Sequence, residues 1–275
     1  MKKMIATLLA GTLMTGIATA QDAQPKPESG ATPAGKQAPA TQPAKPMTGD
    51  ETATQAGDAA STAAAATGTS GTSAAAPTVE AQNAAVAAFT EAQKLQGAGD
   101  AAGAATRIAA HMDTIKAMAA AKPDDVNIAG MYGSALLFQA NGALTAKDNA
   151  GALTYLEASL DPWRKVTQAN PTDAAIRTQF VGTLVNVGNL KLQAGNKEAA
   201  KPHFEEAIAL AQPAYQSAPT DEANANLLLG ATIGMNNVTQ DPAWFAKVKT
   251  LGQELKGKNL LNAANAPAVE AVLAS

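Results

Sequence analysis

Three short polar tetrapeptides divide the chain at a constant interval. They read KPDD at 122–125, NPTD at 170–173 and APTD at 218–221, so their prolines at 123, 171 and 219 lie 48 residues apart. Proline cannot continue a preceding helix, and the aspartate after it can cap the next one. Such turns at a constant interval predict a supersecondary unit that is repeated in tandem.

Apolar residues superpose when the chain is shifted by the same interval. The matched positions in the second half of the unit include Ile108, Leu156 and Phe204, followed by Met112, Leu160 and Ile208. Steps of three and four residues between apolar positions are typical of one helix face. We therefore predict an all-α fold of antiparallel helix pairs, with units at about 75–122, 123–170, 171–218 and 219–260.

Two local features bear on this prediction. The segment TLVNVGNLKL at 183–192 is rich in β-branched residues and could form a strand, but its register mate ALLFQANGAL at 135–144 does not alternate, so we expect a helix.

Proline after aspartate at 161–162 and 241–242 is typical of a helix start. We expect a break near Asp161 and a new helix from Pro242 to about Lys256.

The N-terminal part of the chain has a different composition. Residues 1–20 combine two lysines, a short apolar run and a final Ala-Thr-Ala, which predicts a signal peptide cleaved after Ala20; the alternative is a membrane anchor. Residues 21–77 contain no Leu, Ile, Val or aromatic residue, which predicts a disordered linker. It serves as a spacer or, alternatively, binds cell wall or a partner. Residues 78–275 then form the helical domain.

Composition excludes several classes of function. The chain has no cysteine, so it has neither disulfides nor thiolate metal sites. Its net charge is −3, and no cluster of lysine and arginine indicates a nucleic-acid binder. We expect a periplasmic or secreted protein with no stable membrane insertion after signal removal. The oligomeric state stays open.

The residues show no catalytic pattern. His111 shares its register with packing positions, and His203 is expected to face solvent. The two histidines are the only ones in the chain and do not form a zinc site with cysteine. No Ser-His-Asp arrangement, phosphate loop or heme motif can be assembled. We expect no cofactor, no metal and no enzymatic activity.

The segment LVNVGNLKLQAGNKEAAKPHFEEAIAL at 184–210 resembles the tetratricopeptide repeat family, in an extended variant of about 48 residues. The resemblance covers residues from about 98 to 240. The positions that carry it are Gly188, Gly195, Ala200, Phe204 and Ala207. The resemblance implies a right-handed α-solenoid with a groove. It departs from the family at Lys191, where an aromatic residue is common, and at Asn236, which replaces the small residue.

Asn141, Asn189 and Asn237 share one register near the end of each first helix. In peptide-binding relatives, the residue after the small packing position faces the groove, and Asn189 follows Gly188. An asparagine amide can bind a peptide backbone without adding charge. The alternative is that duplication simply retained an asparagine tolerated at a helix end.

These features predict an exported, non-enzymatic scaffold that binds a peptide, protein or envelope component in its helical groove. The alternative is a small-molecule carrier or an accessory subunit of an envelope enzyme complex. In that case Tyr155, Trp163 and Trp244 are the candidates to line a cavity between helices.

Overall fold

The structure is a computed structural model that describes residues 76–275, and all regular secondary structure there is α-helical. The predicted signal peptide at 1–20 and nearly all of the predicted linker at 21–77 lie outside the described residues. The ten helices are α1 (Val79–Gly97), α2 (Ala101–Ala109), α3 (Met112–Ala121), α4 (Val126–Thr145), α5 (Asn149–Ala169), α6 (Ala174–Gln193), α7 (Lys197–Ser217), α8 (Glu222–Thr239), α9 (Pro242–Gly257) and α10 (Ala266–Leu273). The predicted all-α fold is confirmed, including the helix through 183–192.

The bounds of the central helices repeat with the interval read from the sequence. Shifting α4 and α5 by 48 residues reproduces both ends of α6 and α7, and the same shift takes the start of α6 to the start of α8. The aspartates Asp125, Asp173 and Asp221 cap α4, α6 and α8, and each side chain accepts a hydrogen bond from a backbone amide of the first turn. The tetrapeptide turns are therefore helix starts, as predicted.

The turn inside each helix pair also recurs. Gly99, Lys147 and Gly195 have positive φ values of 84°, 61° and 78° at equivalent positions. The next residue in each case caps the following helix through its side chain; these residues are Asp100, Asp148 and Asn196. Glycine adopts this backbone conformation without strain, and Lys147 adopts it against the usual preference of a side chain with a Cβ.

Each helix packs on its neighbour along the chain, and apolar side chains fill the space between them. α4 packs on α5, α5 on α6, α6 on α7 and α7 on α8, and α6 also packs directly on α8. The largest apolar cluster runs from Ala129 to Val269, and a second cluster joins α1 to α4 through an edge-on contact between Phe89 and Phe138. Burial between successive helices thus replaces a single central core.

The predicted break near Asp161 is wrong, because α5 continues through Pro162 to Ala169. An interior proline costs about 3 kcal/mol through its missing amide hydrogen and its ring. Packing offsets this cost, since Trp163 is fully buried against α4. A Cβ at Gly133 of α4 would lie 3.2 Å from the Pro162 Cβ and 3.1 Å from Trp163 Nε1. The missing side chain there lets both residues approach α4, and the helix stays intact.

The two ends of the array depart from the central pattern. The second helix of the first unit is divided into α2 and α3, where His111 N donates to the Ile108 carbonyl at 2.9 Å and ends α2 with a tightened turn. At the other end, Asp241 caps α9, which begins at Pro242 as predicted. Asn196 is the equivalent cap of α7, and it lies 45 residues before Asp241 rather than 48. The turn between α8 and α9 is therefore shorter than the turn between α6 and α7.

Asparagine side chains fix the C-terminal segment on α8. Asn226 is buried, and its Nδ2 donates to the Leu260 carbonyl at 2.6 Å while its Oδ1 accepts from the Asn262 amide at 3.0 Å. Asn265 Nδ2 donates to the Asn226 carbonyl at 2.9 Å. These bonds satisfy buried polar groups and hold residues 260–265 against the last repeat.

The caps provide a first test. We expect Asp173→Ala to lower the free energy of unfolding by about 1 kcal/mol, because the Ile176 amide loses its acceptor at 3.0 Å. Urea unfolding followed by circular dichroism measures the change. The neighbouring exposed substitution Thr172→Ala is the matched control. Equal stability of the two variants would show that the turn does not act as a cap.

Candidate functional site

Charged residues are distributed unequally between the two helices of each pair. The first helices α4, α6 and α8 have 20, 20 and 18 residues and carry three charged side chains, Arg177, Lys191 and Glu222. The second helices α5, α7 and α9 have 21, 21 and 16 residues and carry thirteen. The first helices therefore present surfaces with few charged side chains.

One such surface lies on α6. Thr178, Gly182, Val185, Asn189 and Leu192 are half-buried and follow steps of four, three, four and three residues, so they form one face of the helix; we call them the α6 stripe. The stripe borders α8, because a Cβ at Gly230 would lie 3.8 Å from Val185 Cγ1. It combines small, apolar and amide side chains without a charge.

The structure brings two of the three predicted site residues onto helices that touch. Asn189 and Asn237 are half-buried on α6 and α8, and neither side chain makes a hydrogen bond within residues 76–275. Both amides can therefore accept or donate hydrogen bonds to a ligand.

Asn141 has a different environment. Its side chain is 9% exposed, and within residues 76–275 its Nδ2 is buried without a hydrogen-bond partner. Ser134 and Leu137, the register mates of Gly182 and Val185, are also buried. The middle of the face that is half-exposed on α6 is thus buried on α4, and the same asparagine register gives two different environments.

A second polar cluster joins α5 to α7 on the second helices. Arg164 donates from Nε to Glu206 Oε1 and from Nη2 to Glu206 Oε2, each at 3.0 Å, and from Nη1 to Asp161 Oδ1 at 2.6 Å. The hydrogen bonds to Glu206 are the main cause that raises the pKa of Arg164. Its guanidinium carbon also lies 5.7 Å from the Phe180 ring centroid. This forked pair connects one repeat to the next.

His203 lies beside this cluster and does not face solvent as predicted. Its side chain is half-buried, and burial is the main cause that lowers its pKa, followed by the positive charge of Lys191. Lys191 in turn forms an ion pair with Glu157. The register places His203 next to the buried Phe204. Sequence reasoning missed its charged neighbours, which are Lys191 from the first helix of the same repeat and Glu157 from the preceding repeat. The alternation of charge-poor and charge-rich helices is the signal that could have found them.

Other predicted groups do not form a site. Trp163 and Tyr155 pack with the largest apolar cluster, whereas Trp244 packs with Phe204 and Met235 in another, so the aromatic residues suggested for a carrier cavity are divided. His111 is half-buried where α2 meets α3. Within the part of the chain that the structure describes, no group of three acidic or histidine side chains could hold a metal ion, and no helix is both long and apolar enough to cross a bilayer.

Comparison of the chain with protein-family models, with curated proteins and with solved structures finds no match.

His203 gives a prediction of pH dependence. Because its pKa is lowered in the folded protein, the folded state binds a proton less readily than the unfolded state. The stability from neutral His203 is fully present above the ordinary pKa of 6.5 and is lost as the pH falls below it. We expect His203→Gln to lose less unfolding free energy than the parent chain between pH 7 and pH 5, as measured by urea unfolding. An identical loss in both proteins would contradict this account.

Proposed function

We propose that residues 78–275 are a non-enzymatic scaffold of the tetratricopeptide-like type, in which stacked helix pairs form a right-handed α-solenoid. The proposal rests on the segment at 184–210 and on helix bounds that repeat every 48 residues. The chain is exported to the periplasm or beyond, since residues 1–20 have the composition of a signal peptide. It binds a peptide, protein or envelope component along the first helices.

The observation that supports the binding role is the α6 stripe beside α8. The stripe contributes the unbonded amide of Asn189 next to apolar groups such as Val185 and Leu192, and the adjacent α8 contributes the unbonded amide of Asn237. Backbone groups of an extended ligand carry donors and acceptors in alternation, and an asparagine amide provides one of each. Because the three charges of the first helices lie outside the stripe, the ligand surface that meets it is uncharged.

Site-specific photo-crosslinking tests this proposal. A photoreactive residue in place of Thr178, at one end of the stripe, should form an adduct with the partner in the periplasm. The same residue in place of Ala209, which is exposed on α7, is the matched control and should not form that adduct. Adducts from both positions, or from neither, would contradict binding along the stripe.

The asparagines are tested with the crosslinked partner. We expect Asn189→Ala with Asn237→Ala to weaken binding about tenfold, because two hydrogen bonds each contribute about 0.5–1.5 kcal/mol. Asn83→Ala on the exposed face of α1 is the control substitution. Titration by fluorescence anisotropy measures the affinity, and an unchanged affinity in the double variant would remove both amides from the site.

A further inference from the structure

The ring of Phe204 lies between two glycines of different helices. A Cβ at Gly188 of α6 would lie 2.6 Å from Phe204 Cζ, and a Cβ at Gly234 of α8 would lie 2.2 Å from Phe204 Cε1. Real Cβ atoms do not approach other atoms so closely. Phe204 itself is fully buried on α7. The backbones of α6 and α8 therefore both rest on the same phenyl ring.

The preceding interface has other residues at the equivalent positions. Forty-eight residues earlier stand Ala140, Leu156 and Asn186, in place of Gly188, Phe204 and Gly234. A branched aliphatic side chain thus replaces the flat ring, and two larger residues replace the glycines. The spacing between neighbouring first helices therefore depends on local residues and need not be constant along the array.

We propose that Phe204 is a positioning residue that sets the separation of α6 and α8, and with it the separation of Asn189 and Asn237. This inference rests on the proposed function. Asn189 directly follows Gly188, and Asn237 lies three residues after Gly234, within one helical turn of the ring contact. A ligand that reaches both amides meets a spacing fixed by a rigid aromatic ring.

The same geometry assigns the binding site to the third and fourth repeats. Asn141 is buried on α4, whereas Asn189 and Asn237 belong to α6 and α8, the two helices whose glycines contact the ring. The ring has few internal degrees of freedom, so in this proposal it fixes the separation of the two helices that carry the amides before any ligand arrives. Preorganisation of this kind reduces the entropy that binding would otherwise cost.

Distances between spin labels test the role of the ring without a partner. The chain has no cysteine, so labels attach only at introduced ones. Asn189→Cys with Asn237→Cys reports on α6 and α8. Asn127→Cys with Ala175→Cys, two exposed register mates on α4 and α6, is the control pair. Double electron–electron resonance gives the distance distribution for each pair.

Two substitutions should move the first pair in opposite directions. Phe204→Leu introduces the side chain that Leu156 has in the preceding repeat, and we expect a shorter 189–237 distance. Gly234→Ala pushes against the ring, and we expect a longer distance. The 127–175 distance should stay unchanged in both variants. Gly188→Ala with Phe204→Leu reproduces the native pair Ala140 and Leu156, and this double variant should keep the fold while the 189–237 distance remains altered.

An unchanged 189–237 distribution in variants that are merely less stable would overturn the proposal, because Phe204 would then only fill the core. If Phe204→Leu does not fold, Gly234→Ala decides the question alone. The distance measurement needs no partner, so its outcome is distinguishable from the crosslinking result. Failure of crosslinking at Thr178 would remove the binding role and leave the spacer role of Phe204 intact.

Discussion

Large side chains of one helix pair are buried in part against the next pair, and the rest of the structure depends on that contact. Phe204 shows it most directly, since the ring projects from a second helix and is covered by the first helix of its own unit and by that of the next. Neither unit could bury the ring alone. The stability of such an array is approximately the sum of the intrinsic stability of each repeat and the contribution of each interface between neighbouring repeats.

The two helices of each pair also present different kinds of surface. The second helices carry most of the charge, and Arg164 and Glu206 connect them from one repeat to the next through a forked pair. The first helices are nearly free of charge and include the α6 stripe. The charged side chains of the second helices link neighbouring repeats, whereas the first helices contribute few such links. The half-buried His203 lies near these charges, on the second helix of the third repeat.

Local chemistry determined which features the sequence could predict. The caps at Asp173 and Asp221, the turn at Gly195 and the close approach at Gly188 each follow from one residue and its immediate neighbours, and the structure confirms them. The continuous helix through Pro162 could not be predicted in this way, because it depends on Gly133 in another helix. The same is true of His203, whose neighbours Lys191 and Glu157 come from α6 and α5. The asparagine register was visible in the sequence, but its different exposure on α4 and α6 depends on packing between helices.

Backbone chemical shifts of residues 123–221, measured by nuclear magnetic resonance, test the central claim most directly. The account predicts helical shifts at 126–145 and 149–169 that recur at 174–193 and 197–217, with positive φ at Lys147 and Gly195. Extended shifts within 183–192, or helix ends that do not coincide when one profile is moved by 48 residues, would contradict a repeated helix pair.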